Sequence, residues 1–358
     1  MKVAVLGAGA MGGTVIGHLR KSPDVSDIVA YDIRQERISE LRADGIKAVS
    51  DLGSILSDPE VKLAFVTSSN ETHKELCLAA LEAGKAVMTE KPIATTIEDA
   101  EAMVRRAEEL GAFFQVGFEL RYSRLYTTVK DWIDRGLLGD IVNTNCLYIT
   151  PVFSKNSWRV RNDVSGGMFA EKLCHYVDLP RWWIGSEVEE VYTVCAPNTV
   201  PYYGVRDNFH TTYKFKNGAV SHLTFMMGPS ATFDGDPLQD NANDEKVRMG
   251  HYLMYTVAGT KGAAEASVYG HSIKRWEYSD SPEKMKCDLK EELGWDVKDN
   301  QIYYHNTFDQ TLDIVSRVKK GLPPKTPASD ALETMRLTFA AELSAELGRP
   351  MKLGSTGK

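Results

Sequence analysis

Apolar and polar positions alternate in blocks along the first third of the chain. Met1 to Leu6 (M-K-V-A-V-L) reads as a buried strand, and an amphipathic stretch to about Arg20 follows it. A second strand, I-V-A-Y-D, ends at Asp32, and a third runs from Ala64 to Ser69. Residues 71–84 suit a helix stopped by Gly84, a residue able to take the left-handed C-terminal position. A-V-M-T (Ala86 to Thr89) is another strand, followed by Glu90-Lys91-Pro92. Thr96 to Asp99 has the spacing of a helix capping box, and the helix behind it places Ala100, Met103, Ala107 and Leu110 on one face. F-F-Q-V-G-F (Phe113 to Phe118) closes the set. Strands alternating with helices predict an α/β fold, a doubly wound parallel sheet over residues 1–120.

The rhythm changes after Arg121. A helix over about 124–136 leads to a strand around Asp140 to Ile149. A polar segment, Ser157 to Asp163 (S-W-R-V-R-N-D), precedes Gly166-Gly167 and a helix through Trp183. Strand-like stretches follow near 189–196, 208–216, 219–227 and 252–258. Strands in runs predict a second, α+β domain over residues 121–358, with a large, mostly antiparallel open sheet. A last helix, about 330–347, is expected to bury Leu332, Met335, Phe339 and Leu343 and to pack at the domain junction.

Composition narrows the function classes. The 358 residues are 43% apolar and 25% charged, which fits a globular chain of about two domains. With 42 Lys and Arg against 49 Asp and Glu, the net charge is −7, without the basic footprint of a nucleic-acid binder. The five cysteines are odd in number and widely spaced, so reduced thiols in a reducing, cytoplasmic setting are expected. The apolar run Val3 to Gly17 imitates a signal peptide, but it holds five glycines and falls short of the ~20 residues of a membrane span.

Those glycines carry a better account. Gly7, Gly9 and Gly12 have the G-x-G-x-x-G spacing between a strand and a helix, and Asp32 ends the next strand twenty residues after Gly12. Gly7 permits the tight turn, Gly9 lets backbone approach a pyrophosphate, and Gly12 lets helix pack on strand. The helix N-terminus offers unpaired N–H groups to phosphate. Asp32 would accept hydrogen bonds from ribose hydroxyls and repel a 2′-phosphate. The cofactor expected is therefore NAD, with NADP not excluded because Arg34 lies two residues on.

Three further positions stand out. Lys91 lies at the carboxyl end of a parallel strand, the edge where ligands bind in such sheets, with Pro92 restricting it. Solvation of a strand-end lysine is the plain alternative. Glu171 and His175 are four residues apart, which on a helix puts them on one face. A carboxylate there raises the imidazole pKa and suits a general base, although a surface ion pair has the same spacing. Glu and His alone are too few for a metal site, and no metal is expected. Asp234, Asp236, Asp240 and Asp244 lack the calcium-loop order and read as an inserted loop.

With these residues in place, the chain resembles the Gfo/Idh/MocA oxidoreductases over nearly its whole length. G-A-G-A-M-G matches, as does the block His73 to Pro92 with its Glu-Lys-Pro triplet. Gly117 to Ser123, Gly136 to Ile141, the S-W-R stretch, the Gly-Gly helix with its histidine, and Val257 to Glu265 follow in family order. The resemblance implies NAD(P)-dependent hydride transfer at a secondary alcohol of a sugar, polyol or glycoside. The family's catalytic lysine falls on Lys91 and its histidine on His175. Its carboxylate, most often Asp, falls on Glu171. The resemblance also places Met11, Ser68, Asn70, His73 and Glu90 near the cofactor and implies a homo-oligomer joined through the open sheet face. Arg121, Tyr122, Trp158, Arg159 and Arg161 are candidates to line a polar sugar pocket, or to pack. An NAD-dependent glycosidase and a non-catalytic NAD sensor are the competing readings.

Overall fold

A computed structural model describes residues 1–228 and 251–353; the acidic stretch Asp234 to Asp244 lies outside them. The chain forms two compact units. One comprises Met1–Glu119, Asp163–Gly166 and Thr307–Arg336; the other comprises Leu120–Asn162, Gly167–Asn306 and Leu337 onward.

In the first unit six strands pair in parallel: β1 (Lys2–Leu6), β2 (Asp27–Tyr31), β3 (Lys47–Val49), β4 (Val61–Val66), β5 (Ala86–Thr89) and β6 (Phe114–Val116). Their order is β3-β2-β1-β4-β5-β6, the doubly wound arrangement, with the topological switch between β1 and β4. Residues Lys2 to Leu6 are buried throughout, as expected of a strand covered on both faces. Helices α1 (Ala10–Leu19), α2 (Gln35–Ala43), α3 (Leu52–Leu56), α4 (His73–Glu82) and α5 (Ile97–Glu109) make the crossovers. The Thr96 hydroxyl accepts from the Asp99 N–H at 3.3 Å and starts α5 as the capping spacing predicts.

The first unit's opening stretch ends at Glu119, and later segments of the chain join it. The helix Thr307–Lys320 belongs with the first unit: its Ile314 and Val315 are fully buried in the cluster of Val3, Val5, Ile16 and Phe65. Residues 325–327 then lie along the edge of β6. Thr326 exchanges backbone and side-chain bonds with Val116, and Lys325 N–H donates to the Gln115 amide oxygen at 2.9 Å. This segment covers an edge strand that would otherwise present unpaired backbone.

The second unit is built on nine strands: β7 (Ile141–Thr150), β8 (Val188–Val194), β9 (Asn208–Phe215), β10 (Val220–Met227), β11 (Tyr252–Gly259), β12 (Gly262–Ser267), β13 (Ser272–Ser279), β14 (Lys286–Gly294) and β15 (Met351–Lys352). They run β14-β13-β12-β11-β7-β10-β9-β8-β15, antiparallel except for β7 beside β10. Helix α6 (Arg124–Asp134) and the helix Cys174–Ile184 bury Tyr126, Trp132 and Trp183 in the core that holds Phe209, Phe225 and Tyr255 of the sheet. Alternate residues on the other side, among them His210, Lys214, His222 and Tyr252, are exposed.

Four strands beyond residue 260, β12 to β15, escape the sequence reading, because their pattern is weak. β14 (K-C-D-L-K-E-E-L-G) is exposed along nearly all its length and is held as a strand by its register with β13. The last helix, Ala328–Leu347, buries Leu332 and Met335 as expected, whereas Phe339 is half-buried and Leu343 is 40% exposed. Thr338, Ala341 and Ser344 take the buried positions instead. Among the described residues no helix is long and apolar enough to cross a membrane.

Candidate active site

The first unit carries a glycine cradle at the carboxyl end of β1. Gly7 has φ +94°, and a Cβ there would fall 2.5 Å from the Ser68 Cα. A Cβ on Gly12 would fall 2.2 Å from the Gly7 carbonyl oxygen, so this glycine lets α1 close on the loop. Gly9 differs: the nearest atom to a Cβ there is Arg34 Nη2, at 3.9 Å. Space is thus kept open where a pyrophosphate would pass, at the N-terminus of a ten-residue helix with no acid in its first turn. Met11 is exposed beside it. This cradle fits a dinucleotide.

Asp32 faces the same loop. It is buried and accepts from the Ala8 N–H at 3.1 Å and the Arg34 N–H at 2.9 Å. The Arg34 guanidinium also grips it, and Arg37 donates to the Ala8 carbonyl at 2.6 Å. Burial pushes the Asp32 carboxyl up, but the Arg34 guanidinium and the two N–H groups outweigh it and hold it below the ordinary range.

The ends of β4 and β5 carry the other residues expected near the cofactor. His73 is fully buried, with Nδ1 2.8 Å from the Pro92 carbonyl and Nε2 3.3 Å from the Ser68 carbonyl. It ties two strand-end loops together, and burial lowers its pKa. Asn70 is buried too, donating to the Ser165 carbonyl at 3.0 Å. Ser68 is half-buried and accepts from the Thr72 hydroxyl at 2.7 Å. Lys91 is half-buried at the end of β5, and its bond to Pro92 is cis. Before it, the Glu90 carboxyl is pushed up to about 8 by burial and by Glu119, with Lys91 pulling the other way. Gly117 makes room for it, since a Cβ there would lie 3.0 Å from Glu90 Oε2. Glu119 is a neighbour the sequence reading missed; nothing in its local pattern marks it.

The second unit presents the proton-handling candidates. Glu171 lies in a π-helical turn, Phe169–Leu173, and His175 in the first turn of the helix that follows it. The regular four-residue helical spacing expected here is therefore interrupted by a wider turn. Such a turn needs support at its start. The Glu342 carboxylate accepts from the Phe169 N–H at 3.2 Å, and a Cβ on Gly167, where φ is +95°, would lie 2.7 Å from that carboxylate. Glu342 is a second residue the sequence reading missed.

Both Glu171 and His175 are buried, each 4% exposed. Glu171 Oε1 accepts from Arg159 Nε at 2.8 Å. Arg159 also lies over the rings of Trp158 and Phe153, with 5.0 and 5.4 Å to the centroids. Trp158, Arg159 and Arg161 are exposed on the segment after β7, where a polar ligand can reach them. Arg121 and Tyr122 are not: both are buried. Arg121 donates from Nε and Nη2 to the two Asp178 oxygens at 2.7 Å each, a bidentate internal pair that takes it out of the expected pocket lining. Behind His175, Tyr176 and Tyr304 share a hydroxyl bond of 2.7 Å, and the Tyr255 hydroxyl donates to the Tyr176 carbonyl. Among the described residues no group of three or more His, Cys, Asp and Glu is placed to hold a metal ion.

Comparison with known proteins covers both units. Residues 1–118 match the NAD-binding Rossmann fold of the GFO_IDH_MocA oxidoreductase family, and residues 130–353 match its C-terminal alpha/beta domain. Myo-inositol 2-dehydrogenase of Thermotoga maritima is 26% identical over 367 residues, 99% of this chain and 98% of that one. An inositol 2-dehydrogenase/D-chiro-inositol 3-dehydrogenase of Lacticaseibacillus casei is 30% identical over 239 residues, 64% of this chain and 67% of its own. Among solved structures, levoglucosan dehydrogenase with NADH and levoglucosan aligns with a TM-score of 0.79 at 21% identity, over 99% of both chains.

Proposed function

The chain belongs to the Gfo/Idh/MocA family of NAD-binding oxidoreductases, and from that premise we propose that it oxidises or reduces a secondary alcohol of a sugar, cyclitol or glycoside. The observation that carries this is the combination of an open glycine cradle with an acid beside it in one unit, and a buried carboxylate and imidazole on successive helical turns in the other. Gly7, Gly9 and Gly12 would hold the pyrophosphate, and Asp32 the adenosine ribose. When bound, NAD supplies the hydride-accepting carbon. Lys91 donates a hydrogen bond to the reacting oxygen and stabilises negative charge as it develops there. His175 accepts the hydroxyl proton in oxidation and returns it in reduction. Glu171, fixed by Arg159, orients the imidazole or receives a substrate hydroxyl. The relatives named for inositol and levoglucosan support the substrate class. The apolar residues exposed on the open sheet, Tyr192, Val194 and Tyr252, support a homo-oligomer, and the free cysteines are consistent with a cytoplasmic setting.

The test is incubation of the pure protein with NAD and a panel of sugars, cyclitols and glycosides, following NADH and product mass. One NADH per ketone formed establishes the dehydrogenase. Glycoside cleavage with no net NADH replaces it with the glycosidase reading, and NAD binding with no turnover favours a sensor. His175→Ala should lower kcat by about 10²-fold or more while NAD affinity holds; unchanged turnover would remove His175 from this role.

A further inference from the structure

The second unit holds a half-buried cation, Lys172, with no paired acid among the described residues. Lys172 follows Glu171 in the π turn and precedes His175 by three residues. Its Nζ lies 5.1 Å from the ring centroid of Tyr148 and 5.1 Å from that of Phe153. No carboxylate among the described residues pairs with it. Ring faces position an ammonium without neutralising it, so its charge and its N–H donors remain available. The surroundings add to the same sign. Phe153 is flanked by Lys172 and Arg159, and the Glu171 carboxylate accepts from Arg159. Lys155, on the same segment as Arg159, lies 5.5 Å from the Tyr202 ring centroid.

We propose that Lys172, backed by Tyr148 and Phe153, is a specificity-determining residue that receives a carboxylate of the substrate, which makes the preferred substrate a sugar acid or cyclitol acid. This rests on the oxidoreductase reading and names its substrate class. The charge count favours a monoanion. Among the described residues Lys172 lacks a paired carboxylate while Arg159 is engaged by Glu171, so the one ring-backed ammonium beside Glu171 matches a single carboxylate. A dianionic phosphate calls for more uncommitted cations or a bidentate arginine, and the nearest guanidinium is already engaged.

The experiment compares paired substrates with NAD: glucose against glucuronate, and galactose against galacturonate. The wild-type protein is expected to favour the acid in kcat/KM by about tenfold to a hundredfold, mainly through KM, as one charge-assisted contact would give. Added salt should narrow the preference. Lys172→Met should erase it and Lys172→Arg restore most of it, with thermal melting and NAD binding as controls for a merely structural effect. Equal use of acid and neutral partners, or a preference that survives Lys172→Met, overturns the proposal while leaving the oxidoreductase intact. If no sugar is oxidised, the oxidoreductase reading fails for this panel, and calorimetry on the NADH-loaded protein decides the Lys172 assignment. Tighter binding of glucuronate than glucose, lost in Lys172→Met, supports it; equal binding overturns it.

Discussion

Arg34 grips Asp32 with both arms of its guanidinium, Nε to Oδ1 at 3.0 Å and Nη2 to Oδ2 at 2.9 Å. The acid that would receive ribose hydroxyls is thereby set beside a cation that would receive a 2′-phosphate. Cofactor choice should divide between the two residues. Asp32→Ala is expected to weaken NAD binding by about 10–100-fold and NADP binding by less, because the acid that repels a phosphate is gone. Arg34→Ala should weaken NADP more than NAD. Titration of each variant with both cofactors checks this, and parallel losses for both would refute the division.

Gly9 and Gly12 lie in one loop but should fail differently. A Cβ on Gly9 meets nothing closer than Arg34 Nη2 at 3.9 Å, so Gly9→Ala should keep the melting temperature and weaken NAD by about tenfold or more. A Cβ on Gly12 meets backbone, so Gly12→Ala should destabilise the fold by about 1–3 kcal/mol. Calorimetric melts beside NAD titrations separate the two outcomes.

Glu90 makes stability fall as pH rises. Its folded pKa of about 8 lies above the ordinary value, so between about pH 4.5 and pH 8 the folded protein holds a proton that the unfolded chain has released. Stability from this group is greatest at the acid end of that window and is lost toward its alkaline end. Glu90→Gln should flatten the pH dependence of melting across this range. Curves for the two proteins that stay parallel would show that Glu90 titrates elsewhere.

The buried Arg121–Asp178 pair should be costly to break and cheap to replace. Asp178→Ala leaves a guanidinium without its carboxylate in the core, a loss of about 3–5 kcal/mol. The double variant Arg121→Met with Asp178→Leu should recover most of that loss. Urea denaturation of the single and double variants measures the difference, and equal instability would place the effect in packing.

Five strands of the first sheet were legible because their signals are local, whereas the three-residue β3 (Lys47–Val49) was not read. Strand and helix periods, the glycine spacing and the acid at the end of β2 each lie within a few dozen residues, and each is required by backbone geometry near one strand end. Lys91, Glu171 and His175 were singled out as candidates by the same kind of short-range pattern, and the family resemblance implied their roles. Pairings across long stretches of chain left no such trace. The helix Thr307–Lys320 looks like any amphipathic helix; burial of Ile314 and Val315 against Val3, Val5 and Phe65 assigns it to the first unit. Thr326 covers the edge of β6 from 210 residues away. β14 has no apolar period to read, because its backbone bonds to β13 make it a strand. Polar candidates diverged for the same reason. His73 and Asn70 turned inward to carbonyl oxygens, and Arg121 to Asp178, while Arg159 stayed exposed and took Glu171. Sequence determined which groups the chain carries and which short elements present them; the partner each buried polar group must find was decided only when distant segments came together.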